Sequence, residues 1–360
     1  MAEKTKIAQY KKTDKQSKYE KKVIIEPLRK KVPKAPSGRN HPIVLPKYIS
    51  FTIQEESKKL FLNIEEQEGI CGNKTVIENA TCKNMQTDNA AFEGWAVCLK
   101  AWLPDIIKSV ELKWDKPHDI KNNDNKWCHY RRFLYRVLRF SEQYKWFTVS
   151  ISNIAEIERF KGELHDLYNN NFSDIPKPKG SNENLSETVV EYLFSSSLSI
   201  EARKQFNLDF IDRQFPVGVK QYNNKFFTGG MSAIDLWGLK EDVLTIIELK
   251  YISEKKKSKN TKVGIISELF MYSCIMRDIL TGLIDRPDYT PNSNEDTLYN
   301  RRKYYSHIKA FMLANDYHPL IENKAVLDIL NNYHRENFSI CVDFIKSRYK
   351  LVSEKEVRFL

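Results

Sequence analysis

The sequence predicts an α/β protein with two folded units behind a basic N-terminal arm. From Leu45 onward, apolar runs of strand length alternate with amphipathic segments of helix length. Hydrophobic residues make up 41% of the chain, enough for ordinary cores, and a segment rich in Asn, Ser, Pro and Gly separates the two units. The expected boundaries are an arm at 1–44, an accessory α/β unit at 45–168, a linker at 169–184 and a second unit at 185–360.

The arm carries most of the positive charge. Residues 1 to 40 hold 13 Lys and Arg against 4 Asp and Glu, a net of +9, whereas the remaining 320 residues carry only +2. Few large apolar residues and several prolines predict a flexible segment that cannot fold alone. Two roles stay open: a basic arm that binds nucleic acid, and a tail that solubilises the protein or docks a partner.

Strand and helix patterns alternate in the accessory unit. Strands are predicted at Tyr48–Ile53 and Lys145–Ile151. A helix is predicted over Asn89–Leu103, where the following proline ends it. Another is predicted to start after Ser152-Asn153, which can supply a cap, and to run to Tyr168.

The sequence HYRRFLYRVLRF, from 129 to 140, places Arg132, Arg136 and Arg139 on one helical face. That face could hold a nucleic-acid backbone. A role of the unit in substrate recognition or in oligomerisation is left open. The alternative is an amphipathic helix with its arginines in water and these residues in the core: Phe133, Leu134, Val137 and Leu138.

The second unit contains charges in an apolar strand. Val243–Tyr251 has the composition of a strand covered on both faces. Within it, Glu248 and Lys250 are two residues apart and therefore point to the same face. A buried carboxylate or ammonium costs several kcal/mol unless it is paired or bound to a cation, so these two residues need a partner.

A tight hairpin supplies one. If the chain reverses at Glu241-Asp242, paired residues have numbers that sum to 483, and Asp235 faces Glu248. A bulge at Gly238 would shift this register. Side chains directly opposite lie roughly 5 Å apart at Cβ, so the two carboxylates could share one divalent cation. A salt bridge from Lys250 to a carboxylate is the structural alternative.

These residues carry a family resemblance. An Asp at the end of one strand followed by Glu-x-Lys in the next resembles the PD-(D/E)XK nuclease superfamily, although Ile234 stands where the superfamily name has proline. The resemblance covers roughly 185–349 and extends to the order of elements: helix, antiparallel meander, helix and strand. The corresponding segments are Asn184–Ser195, Arg213–Gln221, Lys225–Trp237, Val243–Tyr251, Lys262–Thr281 and His307–Ala314.

The resemblance implies a restriction-endonuclease-like mixed sheet flanked by helices. Asp235 and Glu248 would be ligands of Mg²⁺ or Mn²⁺, and Lys250 would assist the attacking water. Many members add a glutamate from the first helix; we prefer Glu187, because the helical wheel places Glu191 farther toward solvent. Glu187 could equally be an acidic residue that stabilises the helix start.

The following helix offers Glu268, four residues before Tyr272 and on the same face. It could orient the lysine or pair with another basic side chain. Before that helix, Lys255, Lys256, Lys257, Lys259 and Lys262 form a basic run. Such a run is usually a solvated loop, and beside a phosphodiester site it could contact the nucleic-acid backbone.

Several protein classes are not favoured. The six cysteines include no CxxC pair, there is no signal peptide, and no segment approaches the 18 or so apolar residues of a membrane span. Glycine-rich phosphate loops are missing as well. We therefore expect a cytoplasmic protein with reduced thiols and no membrane partner.

The sequence thus predicts metal-dependent hydrolysis of a phosphodiester in nucleic acid, with DNA as the expected substrate. The alternative is a non-catalytic nucleic-acid-binding or assembly protein that keeps a nuclease-like fold. A homo-oligomer or a protein partner is left open.

Overall fold

The computed structural model of the protein describes residues 12–34, 43–65, 76–118, 124–170, 186–222, 224–227, 233–252, 262–287, 290–353 and 356–360. The lysines at 255, 256, 257 and 259 lie outside the described residues, as does the predicted linker from 171 to 184. Within the described part, no helix is long and apolar enough to cross a membrane.

The described α-helices are α1 (Asp14–Glu20), α2 (Glu26–Lys31), α3 (Val76–Thr81), α4 (Phe92–Trp102), α5 (Asn125–Gln143), α6 (Ile151–Gly162), α7 (Glu187–Ser195), α8 (Ser199–Phe206), α9 (Gly264–Thr281), α10 (Ser293–Asn300) and α11 (Ala325–Asn331). A π-helical segment, Lys21–Ile25, joins α1 to α2. Short 3₁₀ segments occur at Asp88–Ala90, Arg302–Tyr304, Pro319–Glu322 and Arg335–Asn337.

The described strands are β1 (Ser50–Gln54), β2 (Lys59–Ile64), β3 (Ser109–Trp114), β4 (Phe147–Val149), β5 (Leu167–Asn170), β6 (Asp212–Pro216), β7 (Gly218–Gln221), β8 (Asn224–Lys225), β9 (Ala233–Lys240), β10 (Val243–Lys250), β11 (Ile284–Asp285), β12 (His307–Ala314), β13 (Cys341–Ser353) and β14 (Glu356–Phe359). They form three sheets, in the orders β1-β2-β3-β4, β14-β13-β12-β10-β9-β6 and β11-β5-β7-β8. The protein is therefore a mixed α/β structure, as the sequence predicts.

The largest sheet begins as an antiparallel meander and continues with parallel strands. β6, β9 and β10 pair antiparallel, and β12 and β13 add in parallel. Along β9 and β10, each of the five pairs from Val243↔Lys240 to Ile247↔Leu236 sums to 483, which confirms the predicted register. No bulge interrupts these pairs at Gly238. A glycine is needed at position 238 for another reason, since a Cβ there would lie 2.3 Å from the carbonyl oxygen of Phe210.

Helix α9 is the centre of the protein. Every residue from Gly264 to Leu280 is buried, and the helix packs on β10 and β12 on one side and on α4 on another. The approach is close at its start, where a Cβ on Gly264 would lie 2.4 Å from the carbonyl oxygen of Gln86. A helix covered all round is mostly apolar, and α9 has this composition apart from its buried charged residues, Glu268, Arg277 and Asp278.

The N-terminal and C-terminal regions share one hydrophobic core. A single cluster of buried residues runs from Ile24 to Phe344. Hydrogen bonds also cross between the regions: Trp102 Nε1 donates to the carbonyl oxygen of Leu320 at 2.8 Å, and the Tyr144 hydroxyl donates to that of Leu330 at 2.8 Å. Strand β5 likewise pairs with β7 and β11. The predicted boundary near residue 168 therefore does not separate two cores.

The prediction of a flexible arm is wrong for residues 14–31. The π-helical segment buries Ile24 completely, and α2 does the same for Leu28. Glu20 is buried against β1, where Oε1 accepts the backbone N–H of Phe51 at 3.0 Å. The composition of the arm shows only that it cannot fold by itself, and here the rest of the protein supplies the apolar surface that covers it.

The arginine-rich helix α5 fits neither predicted role. Phe133, Leu134, Val137 and Leu138 are in the core as expected, but Arg132 and Arg136 are buried rather than in water. Arg136 forms two hydrogen bonds to Glu93 of α4 and one to the carbonyl oxygen of Ala90. Arg139 Nη2 donates to Asp278 of α9 at 2.7 Å. Arg136 and Arg139 thus hold helices of the core together, because a buried charge is stabilised by an opposite partner.

In the region from 45 to 170, the limits of the helices and strands differ from the predicted ones at one place. Helix α6 begins at Ile151, after the cap residue Ser150, and ends at Gly162 rather than near Tyr168. The chain then enters β5, so the predicted end of the helix is in fact a strand. The other limits agree within a few residues.

Candidate metal centre

Four elements bring carboxylates to one end of the large sheet. Helix α7 supplies Glu187 and Glu191, β9 supplies Asp235, β10 supplies Glu248, and α9 supplies Glu268. Asp235 is 8% exposed, Glu191 4%, and Glu248 and Glu268 1% each. Four of the five are buried, and a buried carboxylate is costly unless it is protonated, paired or bound to a cation.

Asp235 and Glu248 occupy the next positions of the hairpin after the last pair, Ile247↔Leu236. One oxygen of Asp235, Oδ2, accepts the backbone N–H of Leu249 at 2.7 Å. Glu248 Oε1 accepts from the ammonium of Lys250 at 2.6 Å, whereas its buried Oε2 has no hydrogen-bond partner among the described residues. A buried carboxylate oxygen without a donor is the kind of atom that binds a cation.

The oxygens that converge most closely belong to Glu187, Glu191 and Asp235. Ligand atoms of these three carboxylates all lie within 4.8 Å of one another. The sequence places Glu191 toward solvent, and this placement is wrong. Helix α7 packs on β6, β9 and β10, and Gln214 of β6 donates to Glu191 Oε2 at 2.6 Å. A helical wheel cannot show the burial of Glu191, because it locates the apolar face of the helix and carries no information about which strand covers the other faces.

Lys250 lies among carboxylates. Its Nζ is 2.6 Å from Glu248 Oε1, 3.2 Å from Glu187 Oε1 and 3.4 Å from Glu268 Oε2. Glu187 also accepts the backbone N–H of Tyr251 through Oε2 at 3.4 Å. The structure therefore brings Lys250 together with Glu248, Glu187 and Glu268, and it brings Asp235 together with Glu187 and Glu191. Glu248, the second metal ligand predicted from the sequence, is not one of the three carboxylates that converge.

The electrostatics follow from burial and mutual repulsion. Burial raises the pKa of Asp235 and of Glu248 well above their usual values, and neighbouring carboxylates add to it. Burial raises the pKa of Glu191 to about 7, against the hydrogen bond from Gln214. Burial lowers the pKa of Lys250, but the carboxylates around it, Glu248 foremost, outweigh that effect and bring the pKa well above its usual value. Lys250 is thus an ammonium group at neutral pH.

A cavity of about 240 Å³ opens beside the lysine. Lys250, Glu187 and Glu268 form part of its wall. The rest includes Lys262, which belongs to the predicted basic run, and three polar residues that the sequence does not single out as site residues: Gln86, Asp316 and His318. Asp316 and His318 follow β12, which pairs with β10 so that Ala314 lies beside Lys250, and this parallel pairing could have been used to find them. Gln86 comes from the N-terminal region, and no local pattern indicates it.

Comparisons with known proteins do not identify the chain. No family model matches it, and neither the curated proteins nor the solved structures contain a significant match.

Proposed function

We propose that the protein is a metal-dependent nuclease that hydrolyses phosphodiester bonds, with DNA as the expected substrate. The observation that carries this proposal is the contact of Lys250 with Glu248 beside the converging carboxylates of Glu187, Glu191 and Asp235. The order of elements around it supports the resemblance to the PD-(D/E)XK superfamily and a restriction-endonuclease-like fold: α7, the β6-β9-β10 meander, α9 and then β12.

The residues fit a hard divalent cation such as Mg²⁺ or Mn²⁺. Carboxylate oxygens are its preferred ligands, and the unpartnered Oε2 of Glu248 adds a buried oxygen beside the three that converge. Asp235, Glu191 and Glu187 would hold the cation, with Glu248 next to Asp235. Such a cation supplies Lewis acidity, which activates water and neutralises charge on the phosphate.

The protein's own groups account for the rest of the proposed mechanism. The raised pKa keeps Lys250 protonated, so the ammonium orients water and stabilises negative charge that develops on the phosphoryl oxygens. Glu187 and Glu268 fix its position through contacts at 3.2 and 3.4 Å. The phosphate reaches Lys250 through the cavity, where Lys262 adds a second positive charge.

The deciding assay measures cleavage of plasmid, single-stranded DNA and RNA with Mg²⁺, Mn²⁺ or EDTA. Lys250→Ala is expected to lower the rate about 10²- to 10³-fold, because it removes a charge that stabilises the transition state. Lys240→Ala is the matched control: this lysine belongs to the same hairpin but pairs with Asp209 at 2.7 Å, at the opposite end from the cluster. Thermal unfolding of each variant separates loss of chemistry from loss of fold.

Equal cutting by wild type and Lys250→Ala would contradict the assignment. Tight binding of nucleic acid without metal-dependent cutting would instead favour a non-catalytic binding protein with the same fold.

Glu268→Gln tests the role of the helix glutamate. Removing a charge that contacts Lys250 should lower the pKa of the lysine, so we expect activity to fall about 10-fold and the alkaline limb of the pH–rate profile to move to lower pH. The control is Asp278→Asn, which changes another buried acid of α9 that contacts Tyr135 and Arg139 instead. Loss of thermal stability in both variants with an unchanged pH–rate profile for Glu268→Gln would show a purely structural role.

A further inference from the structure

An exposed tyrosine and an arginine lie on the two elements that bring Glu191 into the carboxylate cluster. Tyr192 is 46% exposed although it belongs to α7, whose next residue toward the N-terminus is the buried Glu191. The guanidinium of Arg213 lies over the Tyr192 ring, 5.5 Å from its centroid. Arg213 is in turn the chain neighbour of Gln214, which donates to Glu191. Tyr192 is thus the chain neighbour of Glu191, and Arg213 is the chain neighbour of the residue that donates to Glu191.

The backbone shows how this pairing arises. Successive residues of a strand point to opposite faces, so Arg213 and Gln214 would not ordinarily both contact α7. Gln214 has φ +59°, a left-handed conformation that is unfavourable for a residue with a side chain. This local change of direction lets both side chains reach the helix. β6 is the last strand of the sheet, so the pair lies at a sheet edge.

We propose that Tyr192, supported by Arg213, is a stacking platform for an unpaired nucleobase next to the phosphate that is cleaved. An aromatic ring can stack on any base, and an adjacent arginine adds cation–π and phosphate contacts. A base inside a duplex already stacks on its neighbours and cannot offer its face to a side chain. The platform therefore selects a single strand, or a strand that has separated from its complement. This inference rests on the proposed nuclease function and deepens it.

The test is binding of labelled oligonucleotides in EDTA, in the Asp235→Asn background so that no substrate is cut. Tyr192→Ala is expected to weaken single-strand binding roughly 5- to 100-fold, the effect of one stacked base, and to leave duplex binding unchanged. Tyr192→Phe keeps the ring and should bind normally. Tyr304→Ala is the matched control, because Tyr304 is 70% exposed and precedes β12, at the end of that strand opposite to Lys250.

Abasic substitutions along the strand identify stacking itself. The parent protein should lose affinity when one particular base is removed, and Tyr192→Ala should be insensitive to that removal. Unchanged single-strand binding by Tyr192→Ala, or an equal loss for duplex and for abasic strands, would overturn the platform.

The outcomes also separate the platform from the nuclease proposal. If wild type cuts nucleic acid but Tyr192→Ala binds like its parent, only the platform fails. If the parent binds single strands through Tyr192 while wild type never cuts, the hydrolysis proposal fails and Tyr192 remains only a stacking residue for single strands. If the parent binds no nucleic acid and wild type cuts none, both fail.

Discussion

Asp235→Asn is expected to lower metal-dependent cleavage about 10³-fold, since loss of one ligand charge removes several kcal/mol of stabilisation by the cation. The same change should raise stability in EDTA. Burial raises the pKa of Asp235, and Glu191 and Glu187 add to it, so the neutral amide removes both the cost of burying the charge and this repulsion. Its oxygen can still accept the backbone N–H of Leu249. The measurements are cleavage with Mg²⁺ and denaturant unfolding with EDTA.

Asp242→Asn is the matched control for this prediction. Asp242 belongs to the turn of the same hairpin, where it accepts from Ser306 at the end opposite the cluster. Asp242→Asn should leave the cleavage rate unchanged. A variant at Asp235 that is inactive but also less stable in EDTA would indicate that the carboxylate has a structural role and does not hold a metal.

The free energy of unfolding should depend on pH through Glu191. Its pKa is about 7 in the folded protein and 4.5 in the unfolded chain, so the folded state binds more protons between these values. The contribution is complete below pH 4.5 and is lost as the pH rises through 7. At 1.36 kcal/mol for each pH unit, the metal-free protein loses about 3 kcal/mol from this group.

The measurement is the difference in unfolding free energy between wild type and Glu191→Gln in EDTA, from pH 4.5 to 8. The glutamine keeps an oxygen for Gln214 but does not titrate, so wild type should lose stability relative to the variant as the pH rises. Added Mg²⁺ should restore it at pH 8, because a ligand that binds only the folded state stabilises that state. A constant difference across the range would show that Glu191 titrates normally.

The hairpin was predictable because its information is local. The apolar run from Val243 to Ile247 sets strand length, a two-residue turn sets the register, and alternation then places Glu248 and Lys250 on one face. Asp235, Glu248 and Lys250 follow from these facts alone. Glu187 required the additional resemblance to a nuclease family.

What escaped prediction depends on contacts between distant segments. The burial of Glu191 depends on β6 and on Gln214, and the orientation of Gln214 depends on a positive φ that no glycine marks. The arginines of α5 and the helices at 14–31 are polar in composition, and only their partners on other elements show that they belong to the core. Charged residues are usually exposed, and a charged residue is buried only where another element supplies a hydrogen-bond or ion-pair partner.

The covering of α9 on every side determines how the protein can be divided. The C-terminal half of the protein contains every proposed ligand. Excising that half would expose the face of α9 that packs on α4, and it would leave Asp278 without the Tyr135 hydroxyl and Arg139. The excised fragment would therefore aggregate rather than act as a minimal enzyme. The same packing constrains evolution: the N-terminal region cannot be exchanged as a separate domain, because the helix that holds Glu268 against Lys250 is part of its core.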